Sequence, residues 1–289
     1  MSILITGSSG FIGTNFCKYL IKKKKKFIGV DLIKNPYINI KQFYKINLKD
    51  ICKLEKIFTN HKVKEVIHLA AVSGVNACHN KPRAAFDSNL YSTLNILELS
   101  KKYKIKKIIL ISSFSANNFF VKPSVYGFTK LSTEQIGICY KENFNLPVSI
   151  IKLSNIYGPY SLHKESAIHK FIRQNIKKNK ITIHDSGNQF RDFVFVLDVV
   201  SLIYKLLNQK KINISYNLCT GKNTSILKIK NLIDKISQKH NSYKHIKAPV
   251  GYDTSIIKTK KKSDLNFLFT SLENGLIQTY KWYELNFKI

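Results

Sequence analysis

Apolar residues fall into short, mostly continuous runs along the first half of the chain, at 3–5, 27–30, 43–46, 66–69, 107–111 and 148–153. Each run has the length of a strand, and its continuity is what a strand covered on both faces demands. Between the runs, apolar residues recur at helical spacing in segments that begin near Phe11, Asp50, Arg83, Ser124 and Glu165. Strand and helix therefore alternate, which predicts an α/β fold built on a doubly wound parallel sheet. Past about residue 155 the regularity drops and the connecting stretches lengthen. The expected organisation is a main domain over 1–155, a return segment over about 191–220, and a smaller α/β lobe from 156–190 and 221–289. Within the return segment, 191–206 reads as a strand and helix that rejoin the main domain.

Length and composition agree with this plan. A chain of 289 residues with 44% hydrophobic content can build a large core and a small lobe. No apolar run reaches the ~18 residues of a membrane span. The first strand starts at the N-terminus with no charged and apolar leader before it, so a cytoplasmic protein with no membrane partner is expected. Five scattered cysteines without a C-x-x-C pair point to a reducing compartment and away from zinc, and no bound metal is expected. The formal net charge is +31. Of the 48 basic residues, only Arg83, Arg173 and Arg191 are arginine. Nucleic-acid readers and phosphate clamps favour arginine forks. Lys22 to Lys26 stands at a predicted helix C-terminus, where cations suit the dipole. A second run, Lys258 and Lys260 to Lys262, stands in a late loop. A solvated surface is therefore expected rather than a nucleic-acid site, although the field attracts anionic small molecules.

The first apolar run carries the most specific chemistry. It leads into Gly7, Gly10 and Gly13, and a helix pattern opens at Phe11. In a strand–turn–helix of this kind, the first glycine makes the turn and the second lets the backbone approach a pyrophosphate. The third lets the helix pack on the sheet. Phosphate then meets the N–H groups of the helix start, here at Phe11, Ile12 and Gly13. This spacing marks a Rossmann-type dinucleotide site. The second run ends in Asp31, 18 positions after Gly13. A carboxylate there accepts from both ribose hydroxyls and repels a 2′-phosphate, so NAD is expected over NADP.

The fifth run ends in Ser112 and Ser113, at the carboxyl edge where such sheets bind ligands. Thirteen residues later Tyr126 and Lys130 stand four apart on a predicted helix and share a face. A phenol near pKa 10 is a poor base at neutral pH. A lysine one turn away, together with a positive nicotinamide, is expected to lower it. Tyr126 could then remove a hydroxyl proton while hydride leaves the adjoining carbon, with Ser113 holding the same oxygen and Ser115 as an alternative.

These pieces occur with others in a fixed order. They are Thr6-Gly-Ser-Ser-Gly-Phe-Ile-Gly13, His68-Leu-Ala-Ala71, Asn89 with Thr93-Leu-Asn-Ile-Leu97, Tyr126-Gly-Phe-Thr-Lys130 and Asn155-Ile-Tyr-Gly-Pro159. Gly187-Asn-Gln-Phe-Arg-Asp-Phe-Val194, Tyr216-Asn217 and Leu272-Glu-Asn-Gly-Leu276 with Trp282-Tyr283 complete the series. Nearly end to end, the chain resembles the NAD-dependent epimerase/dehydratase family of extended short-chain dehydrogenases/reductases. The resemblance implies Ser113, Tyr126 and Lys130 as the catalytic set. It implies that NAD is lined by Leu69, Ala70 and Ala71 and met at the adenine edge by Asn47 and Leu48, with Asp more usual where Asn47 stands. It implies a nucleotide-diphosphate sugar, on family analogy a UDP-sugar, bound by Ser113, Asn155 and Arg191. Lys164 and His163 could add to the anion site. A homodimer through the helices containing 83–103 and 126–144 is also implied.

Departures from the family pattern narrow the chemistry. Dehydratases of the family carry an Asp-Glu pair directly after the position of Ser113, where this chain has Phe114-Ser115. Epimerase-reductases of the fucose type carry a Cys after the serine pair and a His after the Tyr-Gly-Pro, where Tyr160 stands here. The family's late phosphate-clamping Arg has no clear counterpart near 249–253. A UDP-sugar 4-epimerase needs only Ser, Tyr, Lys and NAD and fits best. A 4-ketosugar reductase needs the same set. An idle family member that binds RNA through its basic surface is the reading of a different class.

Overall fold

The computed structural model describes residues 2–117, 119–120, 123–210, 213–248 and 263–287, and in it the apolar runs form the parallel sheet that their continuity predicts. The 249–253 stretch and the late lysine run lie outside the described residues. The six strands are β1 (Ser2–Thr6), β2 (Phe27–Asp31), β3 (Phe43–Lys45), β4 (Val63–His68), β5 (Lys107–Ser113) and β6 (Val148–Leu153). They lie in the order β3-β2-β1-β4-β5-β6, and each neighbouring pair is parallel. The order reverses between β1 and β4, which is the switch point at which doubly wound sheets bind ligands. The chain then makes β7 (Asn155–Tyr157), β8 (Ile181–His184) and β9 (Phe190–Phe195) elsewhere, and returns with β10 (Ser215–Leu218) beside β6.

Helices cover the crossovers. They are α1 (Phe11–Lys22), α2 (Ile51–His61), α3 (Val75–Asn80), α4 (Pro82–Phe86), α5 (Ser92–Lys102), a short α6 (Phe114–Asn117) and the long α7 (Val125–Phe144). Local signals set their ends. Asp50 caps α2 by accepting from Lys53 N–H, and Ser124 caps α7 by accepting from Gly127 N–H. Asn145 ends α7 in the left-handed conformation that Asn tolerates. The single helix expected from Arg83 is instead broken: α4 passes through a π-turn at Asp87–Tyr91 into α5, and that turn buries Asn89. Leu4, Ile28, Val66, Ile108 and Ile150, one from each of five strands, share a core with Leu54 and Phe58 of α2 and Ile96 and Leu97 of α5.

The chain forms two compact units, Met1–Leu153 with Val200–Tyr216, and Ser154–Val199 with Asn217–Ile289. The expected return segment is thus shared between them. Its strand β9 does not rejoin the main sheet, which is a correction. It pairs in parallel with β7, and on its other side in antiparallel fashion with β11 (Asn223–Ser225). An apolar run shows that a strand exists but not which sheet takes it. The buried carboxylate of Asp192 accepts from Thr220 N–H, Thr220 Oγ1 and Gly221 N–H and so pins β9 to the approach of β11. The second unit also holds α8 (Ala167–Ile176), α9 (Val196–Leu207) in its first four residues, α10 (Ile226–Ser237), β12 (Tyr243–Ile246) paired with β8, and α11 (Leu272–Asn286). Its core joins Tyr157, Phe171, Phe195, Ile229, Leu276 and Tyr283. Gly275 has a clear reason there: a Cβ would stand 2.1 Å from the Tyr157 hydroxyl, so only glycine lets α11 pack on that ring.

Candidate active site

In the first unit, β1 turns into α1 at Gly7, which has φ +68°. A Cβ on Gly7 would lie 2.6 Å from Ala70 N, and one on Gly13 would lie 2.0 Å from the Gly7 carbonyl. Both positions are closed to any larger residue. At Gly10 a Cβ would meet only the Gly7 oxygen, at 3.2 Å, so the chain leaves room against that backbone. No acidic side chain stands in the first turn of α1, whose N–H groups come from Phe11, Ile12 and Gly13. The positive end of the helix is thus offset by no acidic side chain of its own first turn. Leu69, Ala70 and Ala71 follow β4 and are partly buried beside this turn.

Asp31 ends β2. Its Oδ2 accepts from Ser9 N–H at 2.9 Å, and its Oδ1 accepts from Leu32 N–H at 2.7 Å. Oδ1 also accepts from Ile33 N–H at 3.4 Å, so Oδ2 is the oxygen that keeps a lone pair for another donor. Asn35, which sequence reasoning missed, ties the same loop down: its buried amide donates to the Ser8 carbonyl and to Thr14 Oγ1. It stands in a polar stretch with no periodicity, so nothing in the pattern marked it. Asn47 is exposed and accepts from Lys49 N–H, while Leu48 packs in the main core and its carbonyl accepts from Asn95.

Tyr126, Ser113 and Lys130 come together at the end of β5. The Tyr126 hydroxyl is hydrogen-bonded to Ser113. Lys130 Nζ, buried, donates to the Ile111 carbonyl at 2.9 Å. Ser113 Oγ also accepts from Ser115 N–H and lies 3.3 Å from Ser115 Oγ. In the chain alone the phenol is not lowered as expected: burial outweighs the Ser113 bond and pushes its pKa up to about 12. The lysine spends a proton on a carbonyl, and in this setting the phenol keeps its own proton at neutral pH.

A buried polar chain, also missed, joins this set to the glycine turn. Ala70 N–H donates to Thr6 Oγ1, and Thr6 Oγ1 lies 2.7 Å from His68 Nδ1. His68 Nε2 lies 3.2 Å from Thr93 Oγ1, which donates to the Asn89 carbonyl. The consistent assignment gives His68 its proton on Nε2. Asn89 exchanges two hydrogen bonds with Val72 and donates to Thr129 Oγ1, which donates to the Tyr126 carbonyl. His68, Asn89 and Thr93 all stand in the motifs quoted above, but spacing alone showed no role for them.

The second unit holds the other expected residues. Asn155 opens β7 and lies in register with Phe193 of β9, two residues past Arg191. Asn155 is exposed, and its amide nitrogen donates to the Asp192 carbonyl, which fixes one of its two N–H groups. Arg191 is partly exposed, with Nη1 donating to the Phe190 carbonyl. The loop after Pro159 is firmly held. Arg173 Nη1 donates to the carbonyls of Leu162 and Lys164, and its Nη2 meets Glu165. Burial and the neighbouring Lys164 and Arg173 lower the pKa of His163. Among the described residues, no group of three His, Cys, Asp or Glu could hold a metal, and no helix is long and apolar enough to cross a membrane.

Residues 3–219 match the model of the NAD dependent epimerase/dehydratase family. The chain belongs to that family. A UDP-glucuronate 4-epimerase of Thermodesulfobacterium geofontis is 30% identical across 99% of this chain and 97% of its own length. A dTDP-glucose 4,6-dehydratase of Haemophilus influenzae is 28% identical across 99% and 98%. Among solved structures, the UDP-glucose 4-epimerase of Thermotoga maritima with UDP-glucose superposes with a TM-score of 0.86 at 28% identity, covering all of both chains. The protein is therefore an enzyme of an NAD-dependent family with a Rossmann-like sheet of seven strands and smaller second sheets. Both epimerases and dehydratases stand among its relatives.

Proposed function

We propose that this enzyme is a 4-epimerase of UDP-sugars that uses NAD. The observation that carries the reading is the Ser113–Tyr126–Lys130 set followed by Phe114-Ser115, with no carboxylate in α6 to move the protons of water loss. Gly7, Gly10, Gly13 and the first turn of α1 fit a pyrophosphate, because the chain closes two of these positions to side chains and leaves the third open. Asp31 fits a ribose diol and disfavours NADP. Leu69 to Ala71 line the path between the two, with Asn47 and Leu48 at the adenine edge. When bound, the cofactor supplies a reversible acceptor for one hydride.

The chain does the rest. Tyr126 takes the proton of the sugar C4 hydroxyl and later returns it, while Ser113 donates to the same oxygen. Loss of that proton and of the C4 hydride leaves a 4-ketone. Return of both, with the hydride on the opposite face, gives the epimer, so no electrons are gained or lost overall. Lys130 favours the phenolate. Asn155 and Arg191 hold the diphosphate, for which the Arg fork is suited. Two copies of the chain associate through the helices spanning 83–103 and 126–144, the protein works in the cytoplasm, and nucleic acid is not its ligand.

The test has two parts. Denaturing the purified protein should release NAD in a one-to-one ratio, as retention through a full cycle requires. Incubation with UDP-glucose, UDP-N-acetylglucosamine and UDP-glucuronate should then yield the C4 epimer of at least one. Released NADP, or consumption of added NADPH with a 4-ketosugar, would replace epimerisation by reduction.

A further inference from the structure

We propose that Glu134 and Lys152 form a positioning pair that holds Ser113 and the segment after it against Tyr126; this rests on the 4-epimerase reading. Tyr126, Lys130 and Glu134 stand four residues apart on α7 and so form one stripe. The stripe is fastened to three successive residues of β5. Lys130 bonds the Ile111 carbonyl, Ser112 Oγ donates to Glu134 Oε1 at 2.5 Å, and Tyr126 bonds Ser113. The other Glu134 oxygen meets Lys152 Nζ at 2.7 Å. Lys152 lies beside Ser112 in the register of β5 and β6, and it also donates to Asn117 Oδ1 at 3.1 Å.

The pair thus clamps Ser113 from both sides. Glu134 holds Ser112 before it, and Lys152 holds Asn117, the last residue of α6, after it. The side chains are 5% and 19% exposed, so the bond is shielded from water. A shielded ion pair adds little net stability, because desolvation offsets the attraction, but breaking one partner leaves an uncompensated charge. Its value here is geometric. Ser113 and Tyr126 must share one substrate oxygen, and a displacement of about 1 Å at such a site can cost a hundredfold in rate. Neither residue reaches the reacting atoms. Both act through Ser113.

The test compares wild type with Lys152→Met and Lys152→Arg on the sugar nucleotide that wild type turns over. Lys152→Met should lower kcat between tenfold and a hundredfold, with KM and the Kd for NAD changed less than threefold. Lys152→Arg, which can reach both Glu134 and Asn117, should recover kcat to within about threefold of wild type. An active wild type whose Lys152→Met variant keeps kcat within twofold, whatever its melting temperature, overturns this inference alone. If Lys152→Met does not fold, Asn117→Ala decides, because Asn117 is exposed. A kcat reduced about threefold at unchanged melting temperature is expected, and an unchanged kcat overturns the proposal. A wild type inert on every nucleotide sugar overturns the epimerase reading and this inference with it.

Discussion

Acidification between pH 7 and 5 should destabilise this protein by a calculable amount, through two buried histidines. His68 in the first unit is 4% exposed, and His169 in the second is fully buried. Burial pushes both pKa values down to about 3, and nearby positive charge adds to the effect: Lys130 for His68, then Lys164, Arg173 and His163 for His169. In the unfolded chain each titrates near 6.5. A group whose folded pKa is depressed is neutral in the native state and charged once unfolded. Below pH 6.5 the unfolded state therefore binds more protons, and stability falls with pH down to the folded value of about 3. Integrating the linkage for one histidine gives a loss of about 2 kcal/mol from pH 7 to pH 5. Against a typical stability of 5 to 15 kcal/mol, two such groups matter.

Urea unfolding at pH 7, 6 and 5, extrapolated to water, measures this loss. The informative variant is His68→Gln. It will be less stable at pH 7, because Thr6 and Thr93 lose part of their hydrogen bonding. Its further loss between pH 7 and 5 should nevertheless be about 2 kcal/mol smaller than that of wild type, because one titrating group is gone. Groups common to both proteins, including the carboxyls of Glu65, Asp192 and Asp198 that burial raises, cancel in this comparison, so the difference belongs to the histidine. Equal acid losses in the two proteins would refute the reasoning and show that His68 is accessible or charged in the native state.

Four other outcomes follow from the site. Tyr126→Phe should lower turnover by a factor of a hundred to ten thousand while NAD remains bound, and full activity would remove Tyr126 as the base. Arg191→Ala should weaken UDP-sugar binding about tenfold to a hundredfold with little change in kcat, read by titration calorimetry. Asp31→Ala should relax the preference for NAD over NADP in a binding assay; an unaltered ratio argues against the ribose contact. Gly13→Ala places a methyl 2.0 Å from the Gly7 carbonyl, so NAD binding should be lost, and retained binding would mean that the turn can shift at small cost.

Much of the main sheet is legible in the sequence because both faces of its strands are buried, and continuous apolar runs follow directly from that. Every run of the first half became a strand within a few residues of its expected place. The second unit is less legible for a physical reason. Its strands are three to six residues long, and their partners are set by side chains such as Asp192 rather than by hydrophobic period. The same contrast holds within the site. Gly7, Gly13, Ser113, Tyr126 and Lys130 sit at fixed distances from strand ends, so spacing reveals them. Asn35, Glu134 and Lys152 act across 18 to 35 residues of sequence, through bonds that only the folded chain brings together.

The raised pKa of Tyr126 sets an electrostatic requirement for proton removal. At pH 8, a phenol with a pKa of about 12 is ionised in about one molecule in ten thousand. Bringing it to 8 requires about 5 kcal/mol in favour of the phenolate, at 1.36 kcal/mol per unit. One positive charge at about 4 Å, in surroundings of effective dielectric constant near 20, contributes about 4 kcal/mol. Lys130, bonded to the Ile111 carbonyl, does not achieve this in the chain alone. In the proposed reaction a further positive charge would come from the oxidised nicotinamide, which Gly7, Gly10, Gly13 and Asp31 would hold, and Tyr126 would serve as a base only once that charge and that of Lys130 act together.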